Sequence, residues 1–293
     1  MKRASPEEAA SLAGATANAG AIAGASASAR EPLRTLHHFA CTGGTLISKC
    51  IAALPNVQLL SEVDPLSTYE APGAGDFSPT DIVALLRHST RGASPELIAE
   101  LFRAQMRVLH RDAVRQGLRL VVRDHAHSHF CHGTAVAERP NLRQLMPAGV
   151  PLLSLVTVRH PLDSFASLSA RDWAHFEPRT VDAYCRRYLT FLDSYAGIPV
   201  LRYEDFVAAP QPAMQRLCEI LDLRYEPHFA ELFSGFRISG DSGRSGDAIV
   251  ARPSLPAAVA LEAEARSSDA YRALVLRLGY GLEAGTTSRS LMP

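Results

Sequence analysis

Five short apolar runs, separated by stretches of helical spacing, constrain the fold of this 293-residue chain more than any other feature. They are LRTLHHFA at 33 to 40, VQLLSE at 57 to 62, LRLVVRD at 118 to 124, LLSLVTVR at 152 to 159 and PVLRYED at 199 to 205. Strands of a parallel sheet are covered on both faces and so read as near-continuous apolar runs, and each needs a crossover of a dozen or more residues before the next. The intervals meet that need. Segments 95 to 117, closing at Gly117, and 179 to 195 carry apolar residues three and four apart and read as crossover helices. A helix is expected at 210 to 222 and a last helical stretch at 256 to 278. The expectation is one α/β domain, a three-layer architecture with a parallel sheet flanked by helices.

Residues 4 to 31 are dominated by Ala, Gly and Ser, too little large apolar surface to offset the entropy of ordering a chain. The expected organisation is a disordered leader over 1–32, the domain over 33–281 and a flexible tail over 282–293. Thirty Lys+Arg balance thirty Asp+Glu, so no global field recruits nucleic acid, and any anion site must be local. No apolar run is long enough to span a bilayer, and no leucine-rich segment follows Lys2 and Arg3 to make a secretion signal. The five cysteines, at 41, 50, 131, 185 and 218, are odd in number and contain no CxxC pair. A reducing, cytoplasmic setting is expected.

Three places carry chemistry. The first apolar run turns through Cys41-Thr42-Gly43-Gly44-Thr45-Leu46 into a helical pattern. A strand, a glycine turn and a helix aim several backbone N–H groups at one spot with the helix dipole behind them, which suits phosphate or sulfate. A Walker lysine is missing before Thr45, which disfavours ordinary ATP or GTP hydrolysis. Second, Arg159 closes the fourth run, Pro161 opens a helix and Ser167 lies eight residues beyond the arginine, so that a guanidinium fork and a hydroxyl could close on one phosphate. The third place is Leu201-Arg202-Tyr203-Glu204-Asp205-Phe206.

Together these stretches resemble the sulfotransferases that use 3′-phosphoadenosine 5′-phosphosulfate (PAPS) as co-substrate. CTGGTL resembles the family's phosphosulfate loop, RHPLDSFAS its 3′-phosphate motif and LRYEDF its third signature, in the same order over roughly residues 34 to 280. The resemblance implies a P-loop NTPase-like α/β sheet and transfer of a sulfuryl group to a hydroxyl, or less readily an amine, of a small-molecule or carbohydrate acceptor. No metal is required by that chemistry. Cys41 to Leu46, Arg159, Ser167 and Tyr203 fall on the implied nucleotide positions. DSGRSG at 241 to 246 resembles the late Gly-rich loop and nominates Arg244.

One position departs from the family. Where a cation usually opens the first motif this chain has Cys41, read as a buried, inert thiol, although a helix N-terminus could make it a reactive thiolate. Charge growing on the bridging oxygen still needs a counter-charge. Lys49, four residues after Thr45 and the only lysine besides Lys2, is one candidate, and Arg123 is a second. For the general base, His125 leads. It ends the third run in a segment holding four of the eleven histidines, with His127 facing the same way if that strand continues. Glu62, at the end of the second run, competes, at a place where tyrosylprotein sulfotransferases keep a glutamate. A metal site of His125, His127, His129 and Cys131 is disfavoured, since alternate strand residues offer ligands along one edge only. Two rival functions stay open: a binding module that holds a nucleotide or anion without turnover, and a small-molecule P-loop kinase.

Overall fold

The computed structural model describes residues 31–68, 81–240 and 246–284. Strands β1 (Leu33–His38), β2 (Val57–Val63), β3 (Arg119–Asp124), β5 (Leu152–Val158) and β7 (Val200–Arg202) form one parallel sheet in the order β2-β3-β1-β5-β7. Two-residue strands β4 (His132–Gly133) and β6 (His175–Phe176) pair separately. Every side chain of the central β1 is buried.

Alternation sends successive side chains of each strand to opposite faces. Leu36, Val121, Leu155 and Leu201 face one layer, built on α1 (Gly44–Ala52) with Ile47 and Ile51 and on a helix at Pro210–Leu221 with Met214 and Leu217. On the opposite face Leu33, Leu120 and Val122 meet α2 (Pro95–Arg115) through Ile98, Phe102 and Met106. Phe39, Val156 and Val158 meet the helix Val181–Ser194 through Tyr184, Tyr188 and Phe191. Each fully buried side chain of this size contributes about 1.5–3 kcal/mol. The three-layer parallel sheet is therefore as the spacing predicts.

Two polar features thread the core. Arg34, fully buried in β1, donates from Nε to Leu221 O at 2.6 Å and from Nη2 to Asp222 O at 2.9 Å, while Nη1 reaches Glu31 Oε1 at 2.7 Å. It satisfies carbonyls that the end of the Pro210–Leu221 helix leaves open, which makes a buried cation tolerable. A second chain runs from Tyr195 OH to Asp124 Oδ2 (2.5 Å), on to His37 Nδ1 (3.0 Å), and from His37 Nε2 through Thr35 Oγ1 (2.9 Å) to Ser154 Oγ (2.8 Å).

Some local expectations are corrected. The last helical stretch is three pieces, Pro256–Ala260, Glu262–Arg266 and Asp269–Leu278, because Ser268 accepts from Tyr271 N and starts a new helix. The fifth strand stops at Arg202, and α3 (Tyr203–Ala208) begins at once. The third strand ends at Asp124, and His125 stands just before the short helix Ala126–Phe130, so no strand alternation relates His125 to His127. A further helix, Ile82–Arg87, is capped by Asp81. No helix among the described residues is long and apolar enough to cross a membrane.

Candidate active site

The carboxyl ends of the parallel strands surround a cavity of about 300 Å³. In open α/β sheets ligands bind at this edge, where the strand order reverses. Its floor is the turn after β1. Cys41 and Gly43 both have left-handed backbones, φ 61° and 86°, and Thr42 Oγ1 pins the turn by donating to Phe39 O at 2.7 Å. The first turn of α1 holds no acidic residue and Gly43 gives no side-chain cap, so its N–H groups open toward the cavity mouth unneutralised.

Both glycines are required by their neighbours. A Cβ on Gly43 would lie 2.1 Å from Tyr203 Cδ2, and one on Gly44 would lie 2.4 Å from the His38 ring. The Tyr203 ring lying on Gly43 in turn carries the Arg159 guanidinium, 5.2 Å from its centroid. Arg159 Nη1 donates to Cys41 O at 3.4 Å. The second motif thus reaches the first turn through the tyrosine of the third. Glu204 braces this junction, accepting from His160 N at 3.0 Å and from Tyr280 OH at 2.6 Å, while Tyr188 OH accepts from Arg159 N at 3.1 Å.

On the other side of the floor stands a polar cluster. Arg123, 3% exposed, pairs with Glu62 Oε1 at 2.7 Å through Nη2. It also donates to Ser61 Oγ (2.8 Å) and Thr45 Oγ1 (3.3 Å) and, from Nε and Nη2, to His38 Nε2 (3.1 and 2.9 Å). Glu62 sits at an irregularity in the β2–β3 register with φ 60°, a left-handed backbone that costs a non-glycine residue about 1–3 kcal/mol. The bulge turns its carboxylate into the cavity, where Oε2 lies 3.5 Å from His125 Nε2. Burial pushes the Glu62 carboxyl up, against the opposing pull of Arg123 and His125.

Gly240 closes over the same carboxylate, for a Cβ there would meet Glu62 Oε1 at 2.3 Å. Ser61 and Ser239 fasten the contact by exchanging hydrogen bonds, Ser61 Oγ to Ser239 O at 3.0 Å and Ser239 Oγ to Ser61 O at 2.6 Å. A wall of flat groups completes the cavity: Arg171 lies 4.9 Å over the Trp173 ring, and His127 Nε2 bonds Trp173 O at 2.7 Å. Burial holds the His127 pKa down at about 4.

Of the residues nominated from sequence, Lys49, Glu62, Arg123, His125, Cys41, Gly43, Gly44, Thr45, Leu46 and Tyr203 line one cavity. Thr42 is buried beneath it, and Ser167 is buried in the helix Pro161–Ser169. Arg244 lies outside the described residues. Cys41 corrects its own expectation: its positive φ lifts it to the surface of the cavity, half-buried rather than interior. Cys131, by contrast, is wholly buried, and burial raises its thiol pKa. His38, Ser61, Gly240 and Trp173 were missed. His38 reads as one more residue of a buried strand, and Gly240 matters only through a contact 178 residues away in sequence from Glu62, a distance no local pattern encodes.

No protein-family model matches the chain, and no curated protein matches it in sequence. Among solved structures it is similar to the sulfotransferase domain from the curacin biosynthetic pathway, at 15% identity and a TM-score of 0.50, over 86% of this chain and 99% of that one. It is also similar to the sulfotransferase domain from the Synechococcus PCC 7002 olefin synthase, at 14% identity and a TM-score of 0.48, over 82% and 96% of the two chains. Mouse sulfotransferase SULT7A1 complexed with PAP matches at 14% identity and a TM-score of 0.38, over 84% and 88%. The likeness to the curacin-pathway domain is one of fold, and the chain has a sulfotransferase-like α/β fold.

Proposed function

We propose that this chain transfers a sulfuryl group from PAPS to a hydroxyl of a small-molecule or carbohydrate acceptor. One observation carries the reading: the Arg159 guanidinium stands 3.4 Å from Cys41 O at the mouth of the glycine turn, on the ring of Tyr203. The meeting of motifs 118 residues apart supports one bisphosphorylated ligand held between them. The turn and the N–H groups of α1 take the donor's phosphosulfate, and Arg159 with Ser167 takes its 3′-phosphate. No metal is needed, because positioned N–H groups and cations supply the charge stabilisation.

The chemistry follows from the groups around the cavity. The acceptor oxygen attacks sulfur in line as the bond from sulfur to the bridging oxygen breaks, and that electron pair stays on the 5′-phosphate. His125 takes the acceptor's proton. Glu62, 3.5 Å away, stabilises the imidazolium that forms, as the aspartate does behind the histidine of a Ser-His-Asp triad. Arg123 meets the charge on the departing phosphate, because its guanidinium is already hydrogen-bonded to Thr45 at the start of α1. Lys49, one turn further along the helix, lines the cavity and adds positive potential. A cation delivered from β3 thus takes the part of the loop cation that Cys41 displaces.

The test is calorimetric titration with adenosine 3′,5′-bisphosphate. The natural chain binds it, and Arg159→Ala loses about 10- to 150-fold in affinity, the worth of charge-assisted hydrogen bonds at 1.5–3 kcal/mol. Absence of binding at millimolar nucleotide rejects the reading. Labelling of an acceptor from ATP instead would transfer the site to a kinase.

A further inference from the structure

We infer that His38 is a positioning residue: an uncharged acceptor that fixes the Arg123 fork against Thr45 without adding a second negative charge to the one Glu62 already sets beside it. The inference rests on the proposed sulfuryl transfer and assigns a role within that site. Its observations are geometric. A single nitrogen, His38 Nε2, receives two arms of the guanidinium, Nε at 3.1 Å and Nη2 at 2.9 Å. Two donors converging on one ring nitrogen require a lone pair there, so the ring is neutral and its proton is on Nδ1. Nδ1 is buried without a hydrogen-bond partner, a desolvation cost set against the two contacts at Nε2. Burial first, and Arg123 second, hold the imidazole pKa well below its usual range.

The surroundings fix the ring. His38 is 7% exposed and packs on Gly44, where no Cβ fits. Arg123 also meets Ser61, Thr45 and Glu62, and of these three Glu62 carries charge. A carboxylate at position 38 would grip the fork equally well but would set a second anion on it beside Glu62, whose Oε1 lies 2.7 Å from Nη2. A neutral acceptor grips it and leaves one counter-charge. In a chain with cysteine where the family's loop cation stands, that difference decides how much negative charge offsets the fork as the bridging oxygen's bond to sulfur breaks.

Two substitutions of equal shape separate the effects. The amide oxygen of His38→Gln replaces Nε2 as a neutral acceptor, whereas His38→Glu places a charge in the same volume. Release of radiolabelled sulfate from PAPS, to a panel of phenols, alcohols and amines or to water, is expected to stay within about threefold for Gln. For Glu, kcat falls about 10²-fold, the scale set by loss of one preorganised stabilising group, and donor KM changes far less. Equal loss in the two variants, or none in Glu, overturns the inference. Nitrogen-15 chemical shifts of His38 in the natural chain report the contact without turnover: a neutral ring protonated on Nδ1 between pH 5 and 8 supports it, and an imidazolium or an Nε2-protonated ring overturns it. If the natural chain neither binds the bisphosphate nor transfers, the functional reading fails as a whole, while the shifts still judge the contact.

Discussion

Gly43→Ala tests how the three motifs are joined. Two costs are built into that position. The backbone at φ 86° is left-handed, which costs a residue with a Cβ about 1–2 kcal/mol. The added methyl also lands 2.1 Å from Tyr203 Cδ2 and 2.7 Å from Cε2, and Tyr203 is buried, so the ring must move. Overpacking of this kind costs about 1–3 kcal/mol more. The sum, about 2–5 kcal/mol, corresponds to a fall in Tm of about 5–15 °C for a domain of this length. Arg159 rests on the displaced ring, so adenosine 3′,5′-bisphosphate affinity falls as well. Two controls separate the costs. Gly197 has φ 78° with nothing within 4 Å of a Cβ, so Gly197→Ala pays for the backbone alone, about 1–2 kcal/mol, with binding unaffected. In a Tyr203→Ala background, Gly43→Ala should shed its steric share and cost about the same as Gly197→Ala. Thermal and denaturant unfolding of the natural chain and the four variants, Gly43→Ala, Gly197→Ala, Tyr203→Ala and the double variant, measures this. Equal cost of Gly43→Ala in both backgrounds refutes the claim that the tyrosine and the turn are packed as one.

Other expectations follow from the same geometry. His125→Asn should lower kcat by about 10²- to 10⁴-fold with bisphosphate affinity little changed, and Glu62→Gln should lower it less; the opposite order in a labelled-sulfate assay makes the carboxylate the base. Tyr195→Phe, which removes the hydroxyl 2.5 Å from Asp124 Oδ2, should cost about 1–3 kcal/mol in denaturant unfolding, and a loss below 0.5 kcal/mol refutes a stabilising chain there. The folded-state pKa of His127, about 4, lies below the ordinary histidine value of 6.5. Its neutral ring therefore contributes full stability above pH 6.5, and the contribution is lost as pH falls toward 4, by at most about 3 kcal/mol. His127→Phe should flatten the stability profile over that interval, and identical slopes for the two proteins would remove His127 from the account.

The sheet was legible because its signals are local. Apolar runs set the strands, and apolar residues three and four apart, closing at Gly117, set α2, whose start the structure caps with Ser94 Oγ accepting from Leu97 N at 3.2 Å. Glycines 43 and 44 were legible as a turn but not as contacts, since the Tyr203 and His38 rings that forbid a Cβ come from other elements. Glu62 and Arg123 were found as polar groups at strand ends. Their pairing depends on a register shift between Leu60 and Val63 that carries no glycine or proline to announce it. Helical spacing across 256 to 278 favoured one helical stretch over the three pieces found, Pro256–Ala260, Glu262–Arg266 and Asp269–Leu278.

The exchange of hydrogen bonds between Ser61 and Ser239, with Gly240 seated on Glu62, splices two distant parts of the chain into one mechanical unit. The acid cannot shift without dragging the segment at 239 and 240, and that segment cannot lift without unseating the acid. Changes of sequence near 240 will therefore be felt as changes in proton affinity at a carboxyl group that lies far away along the chain.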